Sequence, residues 1–165
     1  MPSQDDPSNY TLPQKPFHPC LLKAATTLNT FNNASNPVKL SVCDNTIDII
    51  GTSGENIHDM LKCTSNQTAL DCMEMCLLNR NIAPTAPDTL PCHPFKDNDP
   101  FIIHQSPHIF FAGNQESFES KLITGKQGQK VRLIAIPKYK ATNTVVLLDL
   151  KTMDVTPITF NTAIQ

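Results

Sequence analysis

Two runs near the C-terminus constrain the fold more than any other feature. In residues 131–136, VRLIAI, Val131, Leu133 and Ala135 fall on one face of an extended strand, and Ile134 and Ile136 fall on the other. Residues 145–150, VVLLDL, are again mostly apolar on both faces. A sheet with one solvated face alternates apolar and polar residues, and these strands do not. Their sheet is therefore expected to be covered on both sides, one side by a second sheet and the other by a helix or a partner protein.

The rest of the chain changes character along its length. Prolines 2, 7, 13, 16 and 19 break up the first twenty residues into loop. Residues 21–28 suit a short helix, and residues 29–37 form a polar loop. The isoleucine-rich run 46–51, TIDIIG, predicts a strand that leads directly into Thr52-Ser53-Gly54. A helix is expected next, with Ile57, Met60 and Leu61 on one face, and a second over residues 66–79 with Leu70, Met73 and Leu77 as its apolar stripe. Ser65 or Asn66 would cap the second helix. Residues 82–100 carry prolines 84, 87, 91, 94 and 100 without periodicity, the mark of a long functional or interaction loop. Strands are then expected at 101–103, 108–112, 121–124, 131–137, 144–150 and 155–160, the last four joined by short turns and so antiparallel neighbours.

Composition excludes several classes. A chain of 165 residues is at most one domain. A net charge of −2 does not suit binding of nucleic acid through bulk charge. No apolar run reaches the roughly 18 residues of a membrane span, and MPSQDDPSNY lacks the basic and apolar regions of a secretory leader. The sequons at Asn9, Asn33 and Asn66 are accordingly taken as incidental. Cysteines 20, 43, 63, 72, 76 and 92 show no disulfide framework and are expected to be reduced thiols. The four-residue spacing of Cys72 and Cys76 suits neither a zinc knuckle nor a redox pair. His104 and His108 are separated by Pro107, which opposes the helix that would align them on a metal.

The segments IAPTAPDTLPCHPF (82–95) and SPHIFFAGNQESFESK (106–121) carry the strongest family signal. With MPSQDDPSNYTLPQKPFHPC at the start, GTSGENIHDM in the middle and VRLIAIPKYKATNTVVLLDL near the end, the chain closely resembles the small, non-catalytic accessory (B) subunit of eukaryotic DNA polymerase delta. That family carries a degenerate calcineurin-like phosphoesterase domain. The resemblance implies an α/β (α+β) fold, namely the C-terminal part of a four-layer α/β/β/α sandwich with largely antiparallel strands in its C-terminal half. It also implies that the N-terminal OB-fold and the upstream phosphoesterase strands, with their D-x-H and GD motifs, are absent from residues 1–165.

Active phosphoesterases of this kind hold two metal ions that clamp a phosphate and generate hydroxide. The resemblance places Pro2-Ser3-Gln4-Asp5-Asp6 at their P-G-N-H-D segment, Ser53 at an isolated ligand histidine, and Gly113-Asn114-Gln115-Glu116 at their G-H-x-H segment. Positions 5, 53, 114 and 116 are thus not histidine. Hydroxyls and carboxamides are poor replacements for imidazole on Zn, Fe or Mn. No catalytic, metal or cofactor-binding residue is assigned, and no cofactor is expected. An oxygen site for a harder ion would have to use Asp5, Asp6 and Glu116.

The resemblance implies a nuclear accessory subunit in DNA replication. It would join the Cys-rich C-terminal domain of the polymerase catalytic subunit to a third, PCNA-binding subunit, touching DNA only indirectly and no membrane. One rival reading is a metal-dependent phosphoesterase or nuclease with an oxygen-rich site. Another is a nucleic-acid module built on Lys121, Lys126, Lys130, Arg132, Lys138, Lys140 and Lys151, a stretch with Asp149 as its one acid.

Overall fold

A computed structural model describes residues 1–65 and 67–161. Strand β1 (Val38–Val42) and strand β2 (Ile47–Thr52) form an antiparallel hairpin. Its turn holds Cys43, Asp44 and Asn45 at φ 54°, 53° and 63°, a left-handed conformation that Asp and Asn adopt more readily than most residues. β1 is not among the strands expected from the sequence, although Val38, Leu40 and Val42 alternate with Lys39 and Ser41 as a half-solvated strand does. β2 runs into Ser53 and Gly54, and helix α1 (Glu55–Cys63) follows. Gly54 sits at φ 104°, and a Cβ there would lie 2.0 Å from the Gly113 carbonyl oxygen, so only glycine fits the crossing.

Helix α1 buries Ile57 and Met60, as its periodicity predicts, and leaves Leu61 of the same expected face partly buried at the core margin. Helix α2 (Ala69–Leu78) differs from expectation in two respects. Its N-cap is Thr68, in a reciprocal capping box with Asp71. Ser65 is not the cap, and Asn66 lies outside the described residues. Its buried residues are Cys72, Met73 and Cys76, whereas Leu70 and Leu77 pack only at the core margin. The small thiols let α2 lie close against α1, with Cys76 Sγ 3.5 Å from Met60 Sδ. Residues 21–28 hold two 3-10 turns in place of a helix, Pro19–Leu22 and Ala25–Thr27.

Strands β3 (Ile109–Gln115), β4 (Glu119–Thr124) and β5 (Lys130–Pro137) complete a five-stranded sheet of order β1-β2-β3-β5-β4. β2, β3 and β5 are parallel, and β4 is antiparallel to β5. The one-turn helix α3 (Tyr139–Thr142) diverts the chain into a separate antiparallel ribbon, β6 (Thr144–Leu148) with β7 (Val155–Thr159). The antiparallel expectation therefore holds for β4–β5 and β6–β7. It fails for β5–β6, which do not pair, while β3, outside those four strands, runs parallel to β5. Residues 101–103 are not a strand: Ile102 makes an isolated bridge to Asn81, and Phe101 and Ile103 plug the core.

The fold is thus mixed α/β. One sheet face carries Ile50, Phe110, Ala112, Val131 and Leu133 into a core shared with α1 and α2. On the other face Val38, Ile109 and Ile134 are buried, but Leu40 and Leu122 at its flanks are 39% and 41% exposed. The β6–β7 ribbon leaves Leu147 57% exposed, so the two-sided covering expected of residues 145–150 is not observed among the described residues. No helix among the described residues is long and apolar enough to cross a membrane.

The proline-rich segment 82–100 is partly structural. Ile82, Ala83 and Leu90 are buried. Leu12 bridges Cys92, with Leu12 N donating to the Pro91 carbonyl at 3.0 Å and His93 N to the Leu12 carbonyl at 2.7 Å. The Thr89 hydroxyl donates to Asp59 at 2.5 Å. Its longest exposed run is residues 93–99, where Phe95 is half exposed; Pro84 and residues 87–89 are exposed as well.

Candidate functional site

In open α/β sheets the crevice outside the carboxyl ends of parallel strands is the usual place for a ligand, because successive loops diverge there. Here β2 delivers Ser53 to that crevice, β3 delivers Asn114 and β5 delivers Lys138. The N-terminal segment adds Ser3, Gln4 and Asp5, and the first turns of α1 add Glu55 and His58, three residues apart on one helix face. The cleft between them is about 40 Å3, room for little more than ordered water.

Ser3, Gln4, Asp5, Ser53 and Asn114 were singled out from the sequence, and the fold brings all five to this cleft. Asp6 is not among them: its carboxylate accepts the Ser3 backbone N–H at 2.8 Å and the Ser3 hydroxyl at 2.9 Å. Glu116 lines a neighbouring cleft of about 240 Å3, with Ser117 and Glu119 on one side and His58 on the other. Asp5, Asp6 and Glu116 therefore do not meet as one oxygen site. Among the described residues no three His, Cys, Asp or Glu side chains are placed to hold a metal ion.

Behind the cleft is a polar lock that the sequence pattern did not disclose. Asn36, 1% exposed, accepts the Ser53 backbone N–H at 3.1 Å through Oδ1. Its Nδ2 faces Gln14 Oε1 at 2.8 Å, Ser53 Oγ at 2.5 Å and Glu55 Oε2 at 3.0 Å. The Ser53 hydroxyl donates in turn to the Glu55 carboxylate. Gln14 Nε2 donates to the carbonyls of Ser3 and Asn9, each at 3.1 Å. Asn114 Nδ2 donates to the Ser53 carbonyl at 3.0 Å. These bonds tie the N-terminal segment, the approach to β1, the start of α1 and the end of β3 into one unit. Ser53 has both its hydroxyl lone-pair and proton positions engaged and is 4% exposed, so it is held as a strut and not presented as a nucleophile.

His58 and Lys138 were not assigned to the site from the sequence. A signal existed for His58, since a residue one turn into a helix that starts at a strand end points back toward that end. Burial pulls the His58 imidazole below its ordinary value of 6.5; the nearby Lys138 and Lys62 charges add to this, and Glu55 and Glu116 oppose it.

The basic residues do not form one surface. Lys121 Nζ is 2.6 Å from Glu74 of α2. Lys126 and Lys130 sit at one end of β5, while Lys138 and Lys140 lie past its other end, about 26 Å away for eight extended residues. His108 Nδ1 accepts the Asp48 backbone N–H at 3.0 Å, a role unconnected with His104. Cys72 and Cys76 are free and buried, and burial pushes the Cys76 thiol up to about 12.

Residues 1–120 match the protein family of DNA polymerase alpha/epsilon B subunits. The chain belongs to that family. The matched residues include every side chain of the cleft except Lys138. Among curated relatives, the DNA polymerase delta small subunit of Arabidopsis thaliana is 44% identical over 165 residues, 100% of this chain and 37% of its own length. The DNA polymerase delta small subunit of Oryza sativa is 41% identical over 163 residues, covering 99% of this chain and 38% of its own. DNA polymerase delta subunit 2 of Drosophila melanogaster is 41% identical over 161 residues, covering 98% and 37%. The chain thus spans a little over a third of the length of these relatives. Their names agree with the resemblance carried by residues 82–95 and 106–121.

Proposed function

We propose that the chain is part of a non-catalytic accessory subunit of DNA polymerase delta, acting in the nucleus during DNA replication. The observation that carries this reading is the identity of 41–44% over nearly the entire chain to small subunits of that polymerase. The chemistry of the cleft supports it. The positions aligned with metal ligands of active phosphoesterases hold Gln4, Ser53, Asn114 and Glu116, Asp5 stands at the catalytic histidine and Ser3 at the glycine, and Ser53 and Asn114 are engaged in the lock around Asn36. Phosphodiester hydrolysis is not expected of such a site.

In this proposal residues 1–165 are the C-terminal part of one inactive phosphoesterase-like domain of four-layer α/β/β/α type. The half-covered sheet face and the β6–β7 ribbon would belong to its second β layer, whose remaining strands and the OB-fold lie upstream in the longer subunit. The subunit would join the Cys-rich C-terminal domain of the catalytic subunit to a third, PCNA-binding subunit. The exposed residues 93–99 and the turn 114–118 are the surface assigned to the catalytic subunit.

The test is a pull-down of the full-length subunit with the Cys-rich domain of the catalytic subunit. Wild type is expected to retain the domain. The double substitution Lys96→Ala, Asp97→Ala should weaken retention at an unchanged melting temperature. A full-length protein that neither binds the domain nor co-purifies with polymerase subunits would overturn the reading. Turnover of bis-p-nitrophenyl phosphate abolished by chelation would overturn its non-catalytic part.

A further inference from the structure

β1 is an edge strand of the five-stranded sheet. Among the described residues its outer side has no strand partner over residues 39–42, and the bridge between Gln14 and Asn36 stops short of it. Proteins commonly guard such an edge with an outward lysine. The one lysine of β1, Lys39, does not serve that purpose. Its ammonium donates to the carbonyl oxygens of Pro100 at 3.3 Å and Ile102 at 2.9 Å, and its burial there lowers its pKa. Among the described residues the edge is left unguarded.

A cleft of about 440 Å3 opens beside this edge, at the opposite end of β2 from Ser53. Ile50 and Ile103, 5% and 3% exposed, form its floor, and Pro107 lies at its side. Its polar wall is Ser41 with Asp48, the hydroxyl donating to Oδ1 at 2.5 Å. Oδ2 of Asp48 makes no hydrogen bond among the described residues. Asp48 is the one carboxylate among the residues that line the cleft, and the Lys39 charge is taken up by carbonyls and by Asp99. His108 Nδ1 accepts the Asp48 backbone N–H and fixes the start of β2 beside the cleft. By register Lys39, Ser41, Asp48 and Ile50 share one sheet face, so an added strand would present alternate side chains to the cleft.

We propose that β1 is a docking edge for an extended segment of a partner protein, which adds to the sheet as a sixth strand. The segment places an apolar side chain over Ile50 and Ile103, and a lysine or arginine two residues away beside Asp48. Main-chain pairing supplies affinity, and the cleft and the carboxylate supply the choice of sequence. The docking positions 39–42 use none of the residues of the polar lock.

The probe is a fluorescein-labelled strand peptide with valine and lysine two residues apart and threonine between and around them, carrying a diazirine on the valine. It is titrated into the purified full-length protein. Saturable binding is expected, with cross-links to residues 39–42 and 103–107. Glutamate in place of the lysine should weaken binding about tenfold, the effect of an unfavourable charge pair. N-methylation of alternate peptide amides should abolish it. Ser41→Arg, a change at an exposed position, should weaken the lysine peptide and favour the glutamate one. No saturation below about 1 mM, indifference to N-methylation, or cross-links confined to the β4 edge would overturn the proposal. So would dimerisation through β1 in the absence of peptide, which would make a second copy the occupant.

Discussion

On the helical face of the sheet, Phe110, Ala112, Leu133 and Ala135 are fully buried under α1 and α2. On the opposite face, built from the alternate residues of the same strands, Ile109 and Ile134 reach that state only at the centre, and Leu40 and Leu122 remain well exposed. Both sides of the central strands carry large apolar residues; what differs is the local supply of a cover. Two amphipathic helices follow β2 immediately in sequence and can fold back onto one face. The other face receives no comparable element from these residues. Apolar alternation thus measures how much surface a strand is built to bury, and sequence neighbours decide how much it buries by itself.

Paired truncations read by urea denaturation test this contrast most directly. Leu133→Ala is expected to cost about 2–5 kcal/mol, the range for a fully enclosed leucine. Leu122→Ala on the opposite face should cost less than about 1 kcal/mol in the chain of residues 1–165. Equal costs would mean that the second face is as well packed as the first. A Leu122→Ala cost that rises in a longer chain carrying upstream residues would strengthen the contrast and support the proposal that such residues cover this face.

The carboxyl-end crevice adds a polar counterpart to the helical-face core. Asn36→Ala removes the group that satisfies Ser53 N–H and Gln14 Oε1 in the interior, and it should cost about 2–3 kcal/mol. Asn114→Ala, which loses one bond to the Ser53 carbonyl from a half-buried position, should cost about 1 kcal/mol. If the two were equal, the lock would not be centred on Asn36. Thr68→Ala, which removes the α2 cap, should likewise cost about 1 kcal/mol, with the loss concentrated in helix α2 by hydrogen exchange.

Smaller effects follow from titration and reactivity. The folded protein holds His58 below its ordinary value, so the unfolded chain binds the proton more readily. The stabilising contribution is present above 6.5 and is lost as pH falls through the lower folded value. Thermal melts should therefore decline on acidification below about pH 6.5, and His58→Gln should flatten that decline. A wild-type profile identical to the variant's would remove His58 from the electrostatics of the cleft. In thiol labelling of the native protein, exposed Cys20, Cys43 and Cys63 should react first, and Cys72 and Cys76 only on unfolding. Early reaction of Cys76 would show that the α1–α2 contact opens.

Local patterning determined α1, β2 and the cores of β3 to β7, because each is a run long enough for its own period to show. The resemblance carried by its motifs also picked out five residues that share one cleft, although 111 positions separate Ser3 from Asn114. Tertiary structure alone decided the rest. Strand order is a non-local choice, and nothing in residues 130–137 states that they insert between β3 and β4 and run parallel to β3. The burial of Cys72 and Cys76 in preference to Leu70 and Leu77 depends on how closely α1 approaches, which the period of α2 does not encode. Asn36 looked like one more polar loop residue. Its importance arises only when folding brings Ser53, Gln14 and Glu55 around its carboxamide, which satisfies the buried Ser53 N–H and Gln14 Oε1.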